Sequence, residues 1–258
     1  MTDQTTLEVR NLRKDFGGLR AIENLNLDVR DGELVGLIGP NGAGKTALIN
    51  MITGFYRATA GSILFLGKDI TAADMHEIGR LGVARTFQNI RLFRRMTVLE
   101  NVLVAHKPFA THPIRALFGS GFNSRRPAFN EAMRLLEMLQ IADKADQLAS
   151  SLSFGDARRL EIARAMAVRP RLLLLDEPAA GMNESETKQL VDDIRLIRNQ
   201  VSSILLIEHD MDLIQQLSDR VVAMDYGRKI AEGIASDVLR HPDVVRAYLG
   251  EDVEQVVR

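Results

Sequence analysis

Cysteine is missing from all 258 residues, which excludes disulfides and thiolate metal sites. An excess of either charge is missing too. The 33 Lys and Arg nearly balance the 34 Asp and Glu, for a formal net charge of −1, so the basic surplus usual in nucleic-acid binders is absent. No apolar run approaches the roughly 18 residues needed to cross a bilayer. The opening MTDQTT has no basic stretch leading into an apolar one, so no secretory signal is expected. Internal repeats, low-complexity tracts and sustained heptads are also lacking. What remains is ample core material, 46% hydrophobic, in a length that suits one large α/β domain or two small ones. A soluble, cytoplasmic protein is expected, one that reaches a membrane only through a partner.

Two kinds of apolar run stand out. Residues 7–9, 25–29 and 63–66 are short; the first two alternate apolar and polar side chains, as half-buried antiparallel strands do. Residues 34–38, 172–175, 204–207 and 221–224 are continuously apolar, which fits strands buried on both faces. Helical periods lie between them at 128–139, 157–167 and 184–199. Strands alternating with helices predict a mostly parallel, doubly wound sheet. From about 88 to 168 the pattern is helical, an insertion in the α/β core. Within it, residues 107–130 carry Pro108, Pro113 and Pro127 with Gly119 and Gly121, and read as an irregular connection with one short helix over 114–118. An amphipathic helix is expected over 243–257, packed on the core.

Three stretches carry chemistry. Gly39, Pro40, Asn41, Gly42, Ala43, Gly44, Lys45 and Thr46 match G-x-x-x-x-G-K-[ST] between a buried strand and an apolar helix, the context a phosphate-binding loop requires. Its glycines let backbone N–H groups curl around phosphate oxygens. Lys45 can reach the β- and γ-phosphates, and Thr46 can ligate Mg²⁺. A buried strand ends in Asp176 and Glu177, at the carboxyl edge where open α/β sheets bind ligands. Asp176 would support the metal and Glu177 would polarise an attacking water. Standing alone, the two would read as a solvent-facing acidic pair. Residues 152–159, LSFGDARR, open a helix shortly before Asp176; Ser153 would serve there as a plain N-cap as well.

In that order these stretches resemble the ATP-binding cassette (ABC) ATPases, whose signature is L-S-G-G-Q-x-x-R. Phe154 and Asp156 depart from it. The resemblance implies a P-loop NTPase (RecA-like) core, about 1–87 and 169–258, with an antiparallel β subdomain and a helical insertion at about 88–168, all in one ABC domain. It implies ATP and Mg²⁺ as cofactors and a head-to-tail pair of ATPases. Ser153, Gly155 and the helix N-terminus would bind the γ-phosphate of ATP held by the second subunit. Gln88 matches the glutamine that senses Mg²⁺ or the attacking water. His209 matches the switch histidine that contacts the γ-phosphate. Phe16 matches the aromatic that stacks on adenine. Residues 179–183, AAGMN, resemble the D-loop, with Asn183 in place of the usual aspartate.

Segments 53–56, 85–93, 158–164, 176–181 and 242–250 resemble one ATPase of the branched-chain amino-acid importers. That resemblance implies two integral-membrane permeases, a second ATPase subunit, a solute-binding protein acting indirectly, and a place on the cytoplasmic face of the inner membrane. Importers of urea or amides and a lipopolysaccharide-type exporter are the alternatives. Soluble ABC ATPases of ribosomes or DNA carry two units or long coiled coils, and this chain has neither. Residues 88–100 are expected to dock a permease helix. A carboxylate at 156 facing a phosphate would be repelled, so Asp156 is expected to point toward solvent or Arg159.

Overall fold

The computed structural model describes residues 4–106 and 122–249. Strands β1 (Thr5–Phe16) and β2 (Leu19–Arg30) form a long hairpin, closed at Gly17 with φ 57. With β4 (Ala60–Phe65) and β5 (Lys68–Asp69) they make an antiparallel sheet of order β2-β1-β4-β5. Beside it lies a six-stranded sheet of order β10-β9-β3-β8-β7-β6. There β3 (Leu34–Ile38), β6 (Val83–Arg85), β7 (Leu172–Asp176), β8 (Ser203–Ile207) and β9 (Arg220–Asp225) run parallel, and β10 (Arg228–Gly233) closes one edge antiparallel.

The central strands are apolar throughout because the period of two feeds two cores. Val35, Leu37, Leu172, Leu174, Leu205 and Ile207 point one way, into a core shared with the antiparallel sheet and helix α1 (Lys45–Ile52). Their neighbours Leu34, Ile38, Leu173, Leu175, Ile204 and Leu206 point the other way, into the helices. Those helices are α3 (Val98–Ala105), α4 (Phe122–Met138), α5 (Phe154–Met166), α6 (Glu184–Arg198) and α7 (Met211–Leu217). A short α2 (Met75–Leu81) precedes β6.

Between β6 and β7 the described residues form α3, α4 and α5, with two 3₁₀ turns, Ala142–Lys144 and Ala149–Ser151. The expected irregular connection to residue 130 needs correction: α4 is already helical from Phe122 and runs through Pro127. Ala128, Ala132, Leu135 and Leu136, all after the proline, are buried at helical spacing and anchor the helix to the core. The short helix expected over 114–118 lies outside the described residues. So does the distal part of the C-terminal helix, whose described portion is Pro242–Leu249, after a short α8 (Ala235–Val238). Labelled α9, it buries Val244. Strands β5 and β6 have two and three residues and leave no readable period.

Among the described residues two cations tie the sheets together, and the simpler is Arg228 on β10, which meets Glu23 of β2 at 2.7 Å. Arg220 on β9 donates to the Asp28 carbonyl at 2.8 Å and to Glu33 Oε1 at 2.8 Å, and also meets Glu232. Its side chain is 15% exposed, and the acids around it hold its pKa above the ordinary arginine value. Arg220→Ala removes charged hydrogen bonds from a largely shielded site. It should destabilise the protein by about 1–3 kcal/mol, read as a lower urea midpoint with unchanged slope. A change under about 0.5 kcal/mol, typical of an ordinary surface substitution, would place the tie between the sheets elsewhere.

Candidate functional site

The parallel register brings four loops to one edge. Leu37 of β3 and Asp176 of β7 both pair with Ile207 of β8, so the three strands end level with one another. Residues 39–46 leave β3, His209 follows β8, and Glu177 follows β7. Gln88 follows β6, whose Arg85 pairs with Leu174.

Residues 39–46 are shaped by close packing and by a helix end without a side-chain cap. Gly39 has φ 149, and a Cβ there would fall 2.2 Å from the Met224 carbonyl oxygen. No residue but glycine fits. Gly44 is the N-cap of α1 at φ 102 and gives no side-chain cap, and no acid stands in the first turn. The first N–H groups of α1, with the positive end of its dipole, thus remain available to an anion. Asn41, Gly42 and Thr46 are exposed, Pro40 is half-buried, and Ala43 is buried. Lys45 is buried and donates to the carbonyls of Gly39 at 2.5 Å and Pro40 at 3.1 Å. Burial lowers its pKa, while the charges of Glu177 and Asp176 pull it back up.

Gln88, Glu177 and His209 converge. Gln88 Nε2 donates to Glu177 Oε2 at 2.5 Å, and His209 Nε2 stands 2.8 Å from Glu177 Oε1. Glu177 adopts φ 47, a left-handed conformation uncommon outside glycine, with its N–H held by the Ile207 carbonyl at 2.9 Å. The turn projects its carboxylate off the strand end while Asp176 stays in the ladder. Asp176 is buried and accepts from Arg85 at 2.7 Å; Arg85 also donates to Asn50 of α1 at 2.7 Å.

Ser153 and Gly155 stand apart from this cluster, at the start of α5. Ser153 is the N-cap and accepts from the Asp156 N–H. With Met182, Glu186 and Asp193 among others, Ser153 and Gly155 line one small cavity. The expectation for Asp156 needs amending in its partner: Arg159 is 4.0 Å away and bound to Asp193 at 2.7 Å, while Lys144 Nζ reaches Asp156 Oδ2 at 2.5 Å. Phe16 ends the hairpin half-exposed, edge-on to Tyr56 at 5.0 Å between centroids, with Lys14 Nζ 4.7 Å from its ring centre. The same hairpin abuts the loop, for Ala21 O lies 2.7 Å from where a Cβ on Gly44 would be.

Several contributors escape a local reading. Glu208 is buried and accepts from the N–H groups of Ala179 at 2.7 Å and His209 at 3.0 Å; burial raises its pKa. Arg158 is fully buried, pairs with Glu161 at 2.6 Å, and donates to the carbonyls of Phe87 and Gln88 at 2.7 and 2.9 Å. It thereby ties α5 to the segment that carries Gln88. Tyr248 on α9 accepts from the Gly39 N–H through its hydroxyl at 2.7 Å. An acid beside a histidine, or an amphipathic face at the chain's end, was the only trace of these roles in the sequence.

A family model described as ABC transporter matches residues 22–180, and one described as branched-chain amino acid ATP-binding cassette transporter matches residues 228–254. The chain is 46% identical over 252 residues to the high-affinity branched-chain amino acid transport ATP-binding protein LivG of Escherichia coli K12, covering 96% of this chain and 99% of that protein. It is 45% identical over 249 residues to BraF of Pseudomonas aeruginosa, covering 95% and 98%. Among solved structures, the ADP conformation of MJ1267, an ATP-binding cassette of an ABC transporter, superimposes with a TM-score of 0.84 at 33% identity, covering 96% and 99%.

The Tyr248 contact generates a prediction. Tyr248→Phe keeps the ring and removes one neutral hydrogen bond from the first residue of the loop. Nucleotide affinity should fall about two- to tenfold, the worth of roughly 0.5–1.5 kcal/mol. A titration with a fluorescent ATP analogue reads this directly. An unchanged Kd would show that the loop keeps its shape without α9.

Proposed function

The chain belongs to the ABC transporter ATP-binding family, and on that premise we propose that it powers a branched-chain amino-acid importer by hydrolysing ATP. The observation that carries the hydrolytic part is the Gln88–Glu177–His209 cluster, placed by strand register beside residues 39–46. The solute class rests on the names of the relatives and on the match over residues 228–254.

In this reading residues 39–46 and the N-terminus of α1 bind the phosphates, and Lys45 leaves the Gly39 and Pro40 carbonyls for the β- and γ-phosphate oxygens. Phe16 offers a face for adenine. Thr46, Gln88 and Asp176 present a hydroxyl, an amide oxygen and a carboxylate, the hard donors Mg²⁺ takes. Among the described residues no group of three His, Cys, Asp or Glu could hold a metal alone. Three such donors are fewer than the six Mg²⁺ takes, which leaves positions for phosphate oxygens and water. Bound there, Mg²⁺ would neutralise charge on the phosphates. Glu177, whose side chain is 15% exposed, accepts a proton from the attacking water, with Gln88 and His209 holding its two oxygens in place. Ser153 and Gly155 act on the ATP of a second ATPase subunit.

Energy must then reach a membrane partner. Among the described residues no helix is long and apolar enough to cross a membrane. Beside Gln88 lies an open groove of about 680 Å³, lined by Met75, Ala84, Phe87, Leu92, Phe93 and Val104 with Arg164. Met75, Phe93 and Val104 are exposed. This groove suits an amphipathic helix from a permease, and residues 94–95, which follow its lining residue Phe93 in the chain, are exposed.

Two experiments test the proposal. Glu177→Gln should bind ATP normally, slow Mg-dependent phosphate release by about 10²–10⁴, and accumulate an ATP-bound dimer on size exclusion. Normal turnover in that variant would remove Glu177 as the base and leave His209 as the candidate. Reversing the charge at Arg94 and Arg95 together should abolish vesicle uptake of leucine while basal ATPase activity persists. Unchanged uptake would reject residues 94–95 as part of a docking surface.

A further inference from the structure

Asp156 stands in the first turn of α5, where an uncompensated carboxylate would oppose the approach of a triphosphate. The structure supplies the compensation from a different element. Lys144 ends the 3₁₀ turn Ala142–Lys144 that follows α4, and its Nζ donates to Asp156 Oδ2 at 2.5 Å. The same Oδ2 accepts from Ser153 Oγ at 2.7 Å, while Ser153 Oγ accepts from the Asp156 N–H at 3.2 Å. The Asp156 side chain is 13% exposed and that of Lys144 29%. Burial raises the Asp156 pKa, but the Lys144 and Ser153 bonds and the nearby Arg159 charge outweigh it, and the carboxyl stays below its usual range. The other charges near the start of α5 leave Lys144 as the main neutraliser. Arg159 is taken by buried Asp193 at 2.7 Å, and Glu186 adds a further carboxylate 3.1 Å from where a Cβ on Gly155 would be.

We propose that Lys144 is a positioning residue for ATP clamped against the start of α5. The inference rests on the reading that Ser153 contacts the γ-phosphate of ATP held by a second ATPase subunit. Ser153 has one hydroxyl proton, and in this structure it goes to Asp156. A γ-phosphate oxygen must compete for it. Lys144 weakens the competitor by withdrawing charge from Oδ2, and it cancels the carboxylate's repulsion of the phosphate. Both effects act in the same direction, and both depend on Lys144 only while residue 156 is an acid. This dependence separates a positioning role from simple packing.

The test uses the complete transporter purified through a tag on this chain, with Mg-dependent ATPase titrated against ATP. Lys144→Met keeps the aliphatic stem and removes the charge. It should lower kcat/KM for ATP about tenfold, or about 1.4 kcal/mol, mainly through KM. Asp156→Asn alone should remain within about threefold of wild type, and Lys144→Met/Asp156→Asn should match Asp156→Asn. Three results would each overturn the proposal: a Lys144→Met transporter indistinguishable from wild type, a double variant as impaired as Lys144→Met, or an Asp156→Asn variant accelerated beyond tenfold. If Lys144→Met fails to fold, the comparison of Asp156→Asn with the double variant still decides, since any large loss there assigns Lys144 a structural role. A wild-type complex without Mg-dependent hydrolysis would instead sink the ATPase reading itself.

Discussion

Level strand ends are the constraint on which the site depends. Residues 39, 88, 177 and 209 lie up to 170 positions apart in the chain, and no local contact could gather them. The shared pairing of Leu37 and Asp176 with Ile207, together with that of Arg85 with Leu174, does so. A slip of one residue in β7 would turn Asp176 to the opposite face and carry Glu177 more than 3 Å along the strand. The double-sided burial of β3, β7 and β8 resists that slip, because each strand feeds two cores and a shift would exchange them. Leucine-rich strands with little individuality are thus enough to place chemistry, provided their faces are both filled.

Charge is handled by pairing at short range. Asp176 has Arg85, Lys45 has two carbonyls, Glu177 has Gln88 and His209, and Asp156 has Lys144. An unpaired charge in such shielded positions would cost several kcal/mol or neutralise itself. In the proposed cycle Lys45 exchanges its carbonyls for phosphate oxygens, while Glu177 keeps Gln88 and His209 and Asp156 keeps Lys144. The buried Arg158–Glu161 pair is of a different kind, since its remaining bonds go to the backbone at residues 87, 88 and 91. Ion pairs of this sort add little net stability compared with apolar packing. What this one does is join the Gln88 segment to α5 by bonds that neither can drop without leaving a charge buried. Residues 87–91, beside the groove, are thus held directly against the first half of α5.

Much of this was legible where information is contiguous. The phosphate loop is eight consecutive residues with strand and helix on either side, and the buried strands declare themselves by unbroken apolar runs. The turns of α4 before Pro127 were missed because a proline reads locally as a breaker and the buried face that anchors this helix begins only after it, at Ala128. Arg85, Lys144 and Tyr248 were missed for another reason. Their partners lie 91, 12 and 209 positions away, and an arginine, lysine or tyrosine at the surface of a pattern looks the same whether paired or not. Glu208 differs again: it adjoins a singled-out histidine, yet its burial, not its position, marks it as the acceptor that holds the Ala179 and His209 backbone.

The departures from the family pattern are each answered within this chain. Asn183 replaces an aspartate and caps α6 just as an aspartate can, in a full capping box with Glu186. Phe154 replaces a glycine, and its ring edge lies 3.3 Å from where a Cβ on Gly181 would be; Gly181 has φ 83 and admits no side chain without strain. The larger residue on α5 is thus met by the smallest one on the loop after Glu177, which keeps the two segments in contact. Asp156 replaces glutamine and brings a charge, and Lys144 answers it from the turn after α4. The three substitutions share a logic. Each is met by a residue that accommodates it: Phe154 and Asp156 by Gly181 and Lys144 on other elements, Asn183 by Glu186 within α6 itself. A motif read as a string registers three mismatches, whereas in the folded chain each mismatched side chain has a definite partner.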